Sequence, residues 1–134
     1  MDKLAWDEGY RTGMPEIDDV HMLFVSLVNK IYNYLQEQRD EDFLKRTLDE
    51  LLKYTEFHFA SEENMMISVA YPNLEHHRGE HEKLMLDLRN ILFNVSIEPD
   101  SIDELVQFLD EWISSHIYRE DKALAKFIQS KQRA

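Results

Sequence analysis

An all-α fold, an up-down-up-down antiparallel four-helix bundle preceded by an extended N-terminal arm, is the architecture this sequence predicts. Three observations carry it. Only three Gly and three Pro interrupt 134 residues rich in Leu, Glu, Lys and Asp, so long helices meet few breakers. Turn signals divide the chain into four helix-length segments. Each segment carries an apolar stripe advancing in steps of three and four, the core-facing pattern of a bundle. The length suits a single domain, residues 1–134, large enough to bury a real core.

Residues 1–15, with Gly9, Gly13 and Pro15, read as the arm. The first helix spans about 16–38, with Ile17, His21, Phe24, Val28, Ile31 and Leu35 on its stripe, and "EQRDED" makes the corner. The second covers about 41–66, with Leu44, Leu48, Leu51, Thr55, His58, Glu62 and Met65 inward, and ends before Tyr71-Pro72. The third covers about 74–95 through Leu74, His77, His81, Leu84, Leu88, Ile91 and Val95. "SIEPDS" then offers Asp100 or Ser101 as the N-cap of the fourth. That helix, about 101–129, carries Ile102, Leu105, Leu109, Trp112 and His116. Short links between long helices make neighbours antiparallel.

Five of the six histidines lie on these stripes, and only His76 falls beside its own. Their depths also agree. His21 lies about 18 residues before the first corner and His58 about 17 after it, at 1.5 Å per residue. His77 and His81 precede the third corner by roughly 16 to 20 residues, and His116 follows it by about 17. All five therefore sit near one level of the bundle, and Glu62, four residues after His58, joins them. The fourth helix adds an irregularity. Positions 119 and 120 are Arg and Glu, and the stripe resumes only at Asp121, Leu124 and Ile128. A step of five from His116 needs a π-bulge to bring Asp121 inward, and such bulges are frequent at functional sites.

One histidine on an apolar face is ordinarily a hydrogen-bonded core residue. Five at one depth each leave a ring nitrogen to satisfy, and charged imidazoles would repel one another. A metal removes that cost by bonding neutral imidazoles and ionised carboxylates. Five histidines and two carboxylates exceed one tetrahedral zinc, and the zinc-protease HExxH pattern is absent. Calcium and magnesium prefer oxygen. Seven donors suit two six-coordinate ions sharing carboxylates, with room for an oxo or hydroxo bridge and one open position, and the mixture of imidazole and carboxylate fits iron.

Composition narrows the partners. A formal net charge of −12 with no basic cluster disfavours nucleic acid and anionic membranes. No Cys is present, so neither disulfides nor a thiol nucleophile operate. No stretch approaches a membrane span in length, and "MDKLAWDEG" lacks a secretory apolar run, so a cytoplasmic location is expected.

At this point the sequence resembles the hemerythrins, and within them the single-domain bacteriohemerythrins. "IDDVH", "HFASEENMM", "YPNLEHHRGEH" and "WISSHIYRED" carry the likeness, in an order that is specific where any one motif alone is weak. The resemblance implies that His77, His81 and His116 bind one iron and His21 and His58 another. It also implies that Glu62 and Asp121 bridge the two irons beside an oxo or hydroxo group. It implies O2 as the ligand, bound reversibly at the iron held by two histidines, for storage, delivery or buffering rather than catalysis. Phe59, Trp112, Ile113 and Ile117 neighbour the expected ligands and are the expected dry walls of the O2 pocket. Two alternatives stay open: sensing of oxygen or redox state through a partner protein, and an enzyme handling peroxide or nitric oxide. An oxygen-consuming enzyme is a further conceivable partner.

Overall fold

The computed structural model describes residues 8–37 and 41–133, but not the side chains of Tyr10, Tyr34, Leu35, Gln36, Glu41, Ile113, Ile117, Tyr118 and Arg133. Residues 1–7 of the expected arm thus lie outside the described part. The helices are α1 (Pro15–Gln36), α2 (Glu41–Ser68), α3 (Leu74–Ile97) and a fourth run of changing pitch. That run comprises α4 (Ile102–Trp112), a π-helical segment (Ile113–Asp121) and α5 (Lys122–Arg133). Consecutive helices pack side by side, α1 on α2, α2 on α3 and α3 on α4, which gives the four-helix bundle. Among the described residues no helix is long and apolar enough to cross a membrane.

The end of the arm is tied down by one buried carboxylate. Asp18 is 3 % exposed. It accepts the Thr12 amide and hydroxyl, each at 2.8 Å, and the Gly13 amide at 3.1 Å. Gly13 makes this turn with φ at 88°, where a side chain is strained. Pro15 then opens α1 at the first helical position, where its missing N–H removes no helical bond. Asp18 escaped sequence reasoning, although it stands one helical step before His21 on the buried face.

Two apolar clusters form the core. The larger joins Phe24, Val28, Ile31, Leu48, Leu51, Phe59, Leu88, Leu105, Leu109 and Trp112, among others. The smaller joins Ile17, Met66, Tyr71, Leu124 and Ile128. Along each chain segment the stripe histidines fall between members of the two clusters, so a polar layer separates them. Thr55 is buried on its stripe because its hydroxyl donates to the Leu51 carbonyl at 2.8 Å. Met66 is the fully buried methionine after Glu62, placed in the smaller cluster by a second step of four, while Met65 of the expected stripe packs half-buried against the same cluster. Ser101 does not cap α4. Its hydroxyl donates back to the Glu98 carbonyl at 2.7 Å, within the 3-10 turn Pro99–Ser101.

Helix α2 stops by a Schellman motif. The Tyr71 amide bonds the Met66 carbonyl at 2.9 Å, and the Ala70 amide bonds the Ile67 carbonyl at 3.2 Å. Tyr71 and Met66 also meet in the smaller cluster, the apolar contact that accompanies this cap. The motif requires left-handed backbone at Ala70, whose φ is 52°. An L-residue there costs about 1 kcal/mol or more. Ala70→Gly should therefore raise unfolding free energy by about 0.5–1 kcal/mol, read from urea denaturation of the metal-free protein. A destabilised variant would mean that Ala70 is not strained in solution.

Candidate metal centre

Four helical runs each send polar side chains into the layer between the clusters. His21 comes from α1, His58 and Glu62 from α2, His77 and His81 from α3, and His116 and Asp121 from the π-helical segment. All seven are buried, none more than 4 % exposed. The wide π turn lets residues five apart face the same way, so His116 Nε2 and Asp121 Oδ1 lie 3.3 Å apart.

The donors fall into two groups that share both carboxylates. One contains Glu62, His77, His81, His116 and Asp121; the other contains His21, His58, Glu62 and Asp121. Within each group one donor atom per residue lies within 4.8 Å of all the others. Each carboxylate divides its oxygens between the groups. Glu62 Oε2 lies 3.1 Å from His58 Nε2, while its Oε1 lies 2.5 Å from His77 Nε2 and 3.3 Å from His81 Nε2. Asp121 Oδ2 lies 3.1 Å from His21 Nε2, and its Oδ1 lies 3.1 Å from His77 Nε2.

These short contacts are not oriented as hydrogen bonds. Every Nε2 of the five imidazoles and all four carboxylate oxygens are buried without a hydrogen-bond partner among the described residues. Leaving so many polar atoms unsatisfied would cost several kcal/mol. Two groups of converging nitrogen and oxygen donors are what a pair of cations satisfies, so the residues present fit a binuclear metal site.

Without metal, protons do the neutralising. Burial and the charge of Asp121 push the Glu62 carboxyl up, but His58, His77 and His81 outweigh them and hold it down at about 2. Burial likewise raises Asp121, yet His116, His21 and His77 bring it well below the ordinary carboxylate range. Burial lowers His77, but Asp121 and Glu62 overcome this and lift it to about 10.

Aromatic rings wall the layer on the side of the larger cluster. Phe59 stacks on His81 with ring centres 3.9 Å apart and planes 6° from parallel. Trp112 meets Phe59 edge-on at 5.6 Å and Phe24 at 5.1 Å, and lies 6.4 Å from the His116 ring. Phe24, edge-on to His58 at 5.9 Å, is a wall residue that sequence neighbourhood alone missed. Its place one helical step after His21 was the available signal. His76 stays outside, its side chain 60 % exposed and its Nε2 3.2 Å from Glu120 Oε1.

The family model described as "Hemerythrin HHE cation binding domain" matches residues 12–128. The chain belongs to the hemerythrin family. It is 31% identical over 125 residues to a bacteriohemerythrin of Clostridium acetobutylicum, an alignment covering 88% of this chain and 95% of that protein. A bacteriohemerythrin of Stenotrophomonas maltophilia is 27% identical over 97% of this chain and 84% of its own length. A myohemerythrin of Theromyzon tessulatum is 27% identical over 84% of this chain and 82% of its own length. The hemerythrin match spans every residue of the buried donor layer.

The pKa directions fix how the metal-free protein responds to pH. Depressed carboxylates stabilise the fold above their ordinary value of 4.5 or 3.8 and lose that contribution as pH falls toward 2. His77, raised, stabilises below its ordinary 6.5 and loses its contribution as pH rises through 10. The metal-free melting temperature should peak at about pH 5–6 and fall on both sides. A cation held by His77 Nε2 would displace that proton, so the melting-temperature gain on adding ferrous iron should grow from about pH 5.5 to 8. A flat gain across that range would mean that no such proton is displaced.

Proposed function

We propose that His77, His81 and His116 hold one iron, that His21 and His58 hold a second, and that Glu62 and Asp121 bridge them for reversible O2 binding. The supporting observation is the division of each carboxylate's oxygens between the two histidine groups. Family membership supports iron as the metal, because the match is to a cation-binding domain and the relatives are named as hemerythrins.

The protein's part is binding, orientation and exclusion of water. With their Nε2 atoms toward the metals, the imidazoles keep their one proton on Nδ1 and remain neutral. Two carboxylates then offset part of the charge of two cations in a layer sealed by apolar clusters. The His21–His58 group has one donor fewer than the other, which leaves room for a small ligand on that side. The chemistry such a pair supplies is two electrons lent to O2 on binding and returned on release. Phe24, Phe59 and Trp112 shield the layer on one side, and Ile113 and Ile117 are proposed to complete the wall. A dry wall slows proton delivery and solvent entry, the events that make binding irreversible.

Storage, delivery or buffering of O2 is the role this design serves, not turnover. Among the described residues the buried carboxyl and imidazole side chains already have tasks: seven form the layer, and Asp18 holds the arm. Purified protein should contain about two irons per chain. His77→Ala should lose iron at least about tenfold more readily than His76→Ala, measured by release to a chelator. Equal losses would place the wrong histidine of the "HH" pair in the layer.

The reduced protein should develop a visible absorption band on mixing with O2 and lose it on deoxygenation. Trp112→Ala should bind O2 with unchanged iron content but lose the band faster through autoxidation. A wild type whose band never persists, or that consumes peroxide catalytically, would overturn the carrier reading.

A further inference from the structure

We infer that Glu63 is a positioning residue for His81, an inference that rests on the reading of His81 as an iron ligand. Glu62 and Glu63 are consecutive on α2, and one helical step separates their directions. Glu62 points into the layer, and Glu63 stands at its edge with a side chain 22 % exposed. The two carboxylates thereby reach opposite nitrogens of one imidazole. Glu62 Oε1 lies 3.3 Å from His81 Nε2, and Glu63 Oε2 lies 3.4 Å from His81 Nδ1.

A neutral imidazole has one N–H and one lone pair, and the hydrogen bond at one nitrogen decides which nitrogen can bind metal. A carboxylate only accepts, so Glu63 selects the form with the proton on Nδ1 and the lone pair on Nε2, facing the layer. Its negative charge also makes Nε2 a stronger donor. Glu63 is itself held: its Oε1 accepts from Arg78 Nε at 3.0 Å, and Arg78 Nη1 lies 3.5 Å from Glu75 Oε1. On its face, the His81 ring is clamped by the Phe59 stack. By contrast, Nδ1 of His21, His77 and His116 is buried without a partner among the described residues. Glu63, His81 and Phe59 line one surface groove between α2 and α3. The carboxylate therefore occupies the edge of His81 that solvent would otherwise reach.

Two measurements on wild type, Glu63→Ala and Glu63→Gln test this. The first is ¹⁵N imidazole NMR of the metal-free protein, above the ordinary histidine titration range. Wild type should show His81 protonated at Nδ1. Glu63→Ala should shift it toward the Nε2–H form, and Glu63→Gln, whose amide oxygen still accepts, should restore Nδ1–H. The second is iron release to a chelator. Glu63→Ala should release iron about 10- to 100-fold faster than wild type, with Glu63→Gln in between. A Glu63→Ala protein with the wild-type tautomer and wild-type release would overturn the proposal. Wild type that takes up no iron would instead sink the ligand reading, while the tautomer comparison still decides what Glu63 does to His81.

Discussion

Burying two carboxylates and five imidazoles at one level of a helical bundle is the constraint on which the rest of this structure depends. Each charge taken from water costs several kcal/mol unless something within reach replaces the lost solvation. Neutralisation therefore has to be built into the layer. The carboxylates stay ionised because imidazoles surround them, and His77 holds a proton when no cation is present. Protons and metal ions would compete for the same lone pairs, which would link the protein's stability to its metal binding.

Several local features follow from that layer. The core splits into two apolar clusters because a polar sheet of side chains lies between them. The fourth helical run widens into a π segment over Ile113–Asp121 because His116 and Asp121, five residues apart, must both face inward. An α-helix would carry one of them away. Asp18 ties Thr12 and Gly13 to α1 one helical turn before His21. The aromatic side of the layer is closed by Phe24, Phe59 and Trp112, each beside a ring of the layer, with Trp112 edge-on to both phenylalanines. Support for the imidazoles is uneven. His81 has a carboxylate at its outer nitrogen and a phenyl ring against its face, so proposals about tuning the site begin there.

Periodicity brought His21, His58, Glu62, His77, His81 and His116 to one depth without reference to any relative. The break in pattern at Arg119 and Glu120 marked the π segment, because an inward carboxylate at position 121 needs a wider turn. His76 was separable from His77 because adjacent residues on a helix point about 100° apart. Residues outside the stripes were harder to read. Glu63 looks like one acid among many surface acids, and nothing in one dimension distinguishes the acid that meets Arg78 and His81.

The sequence by itself determined the helices, their inward faces and the set of donors at a common level. Those properties depend on the spacing of side chains along a regular helix, and that spacing is written in the chain. The tertiary structure decided which oxygen of Glu62 and Asp121 faces which histidines, that Met66 is buried more deeply than Met65, and that Glu63 backs His81. These choices depend on how helices distant in sequence rotate and pack against one another. Fractions of a turn, invisible in a linear pattern, determine which atoms meet.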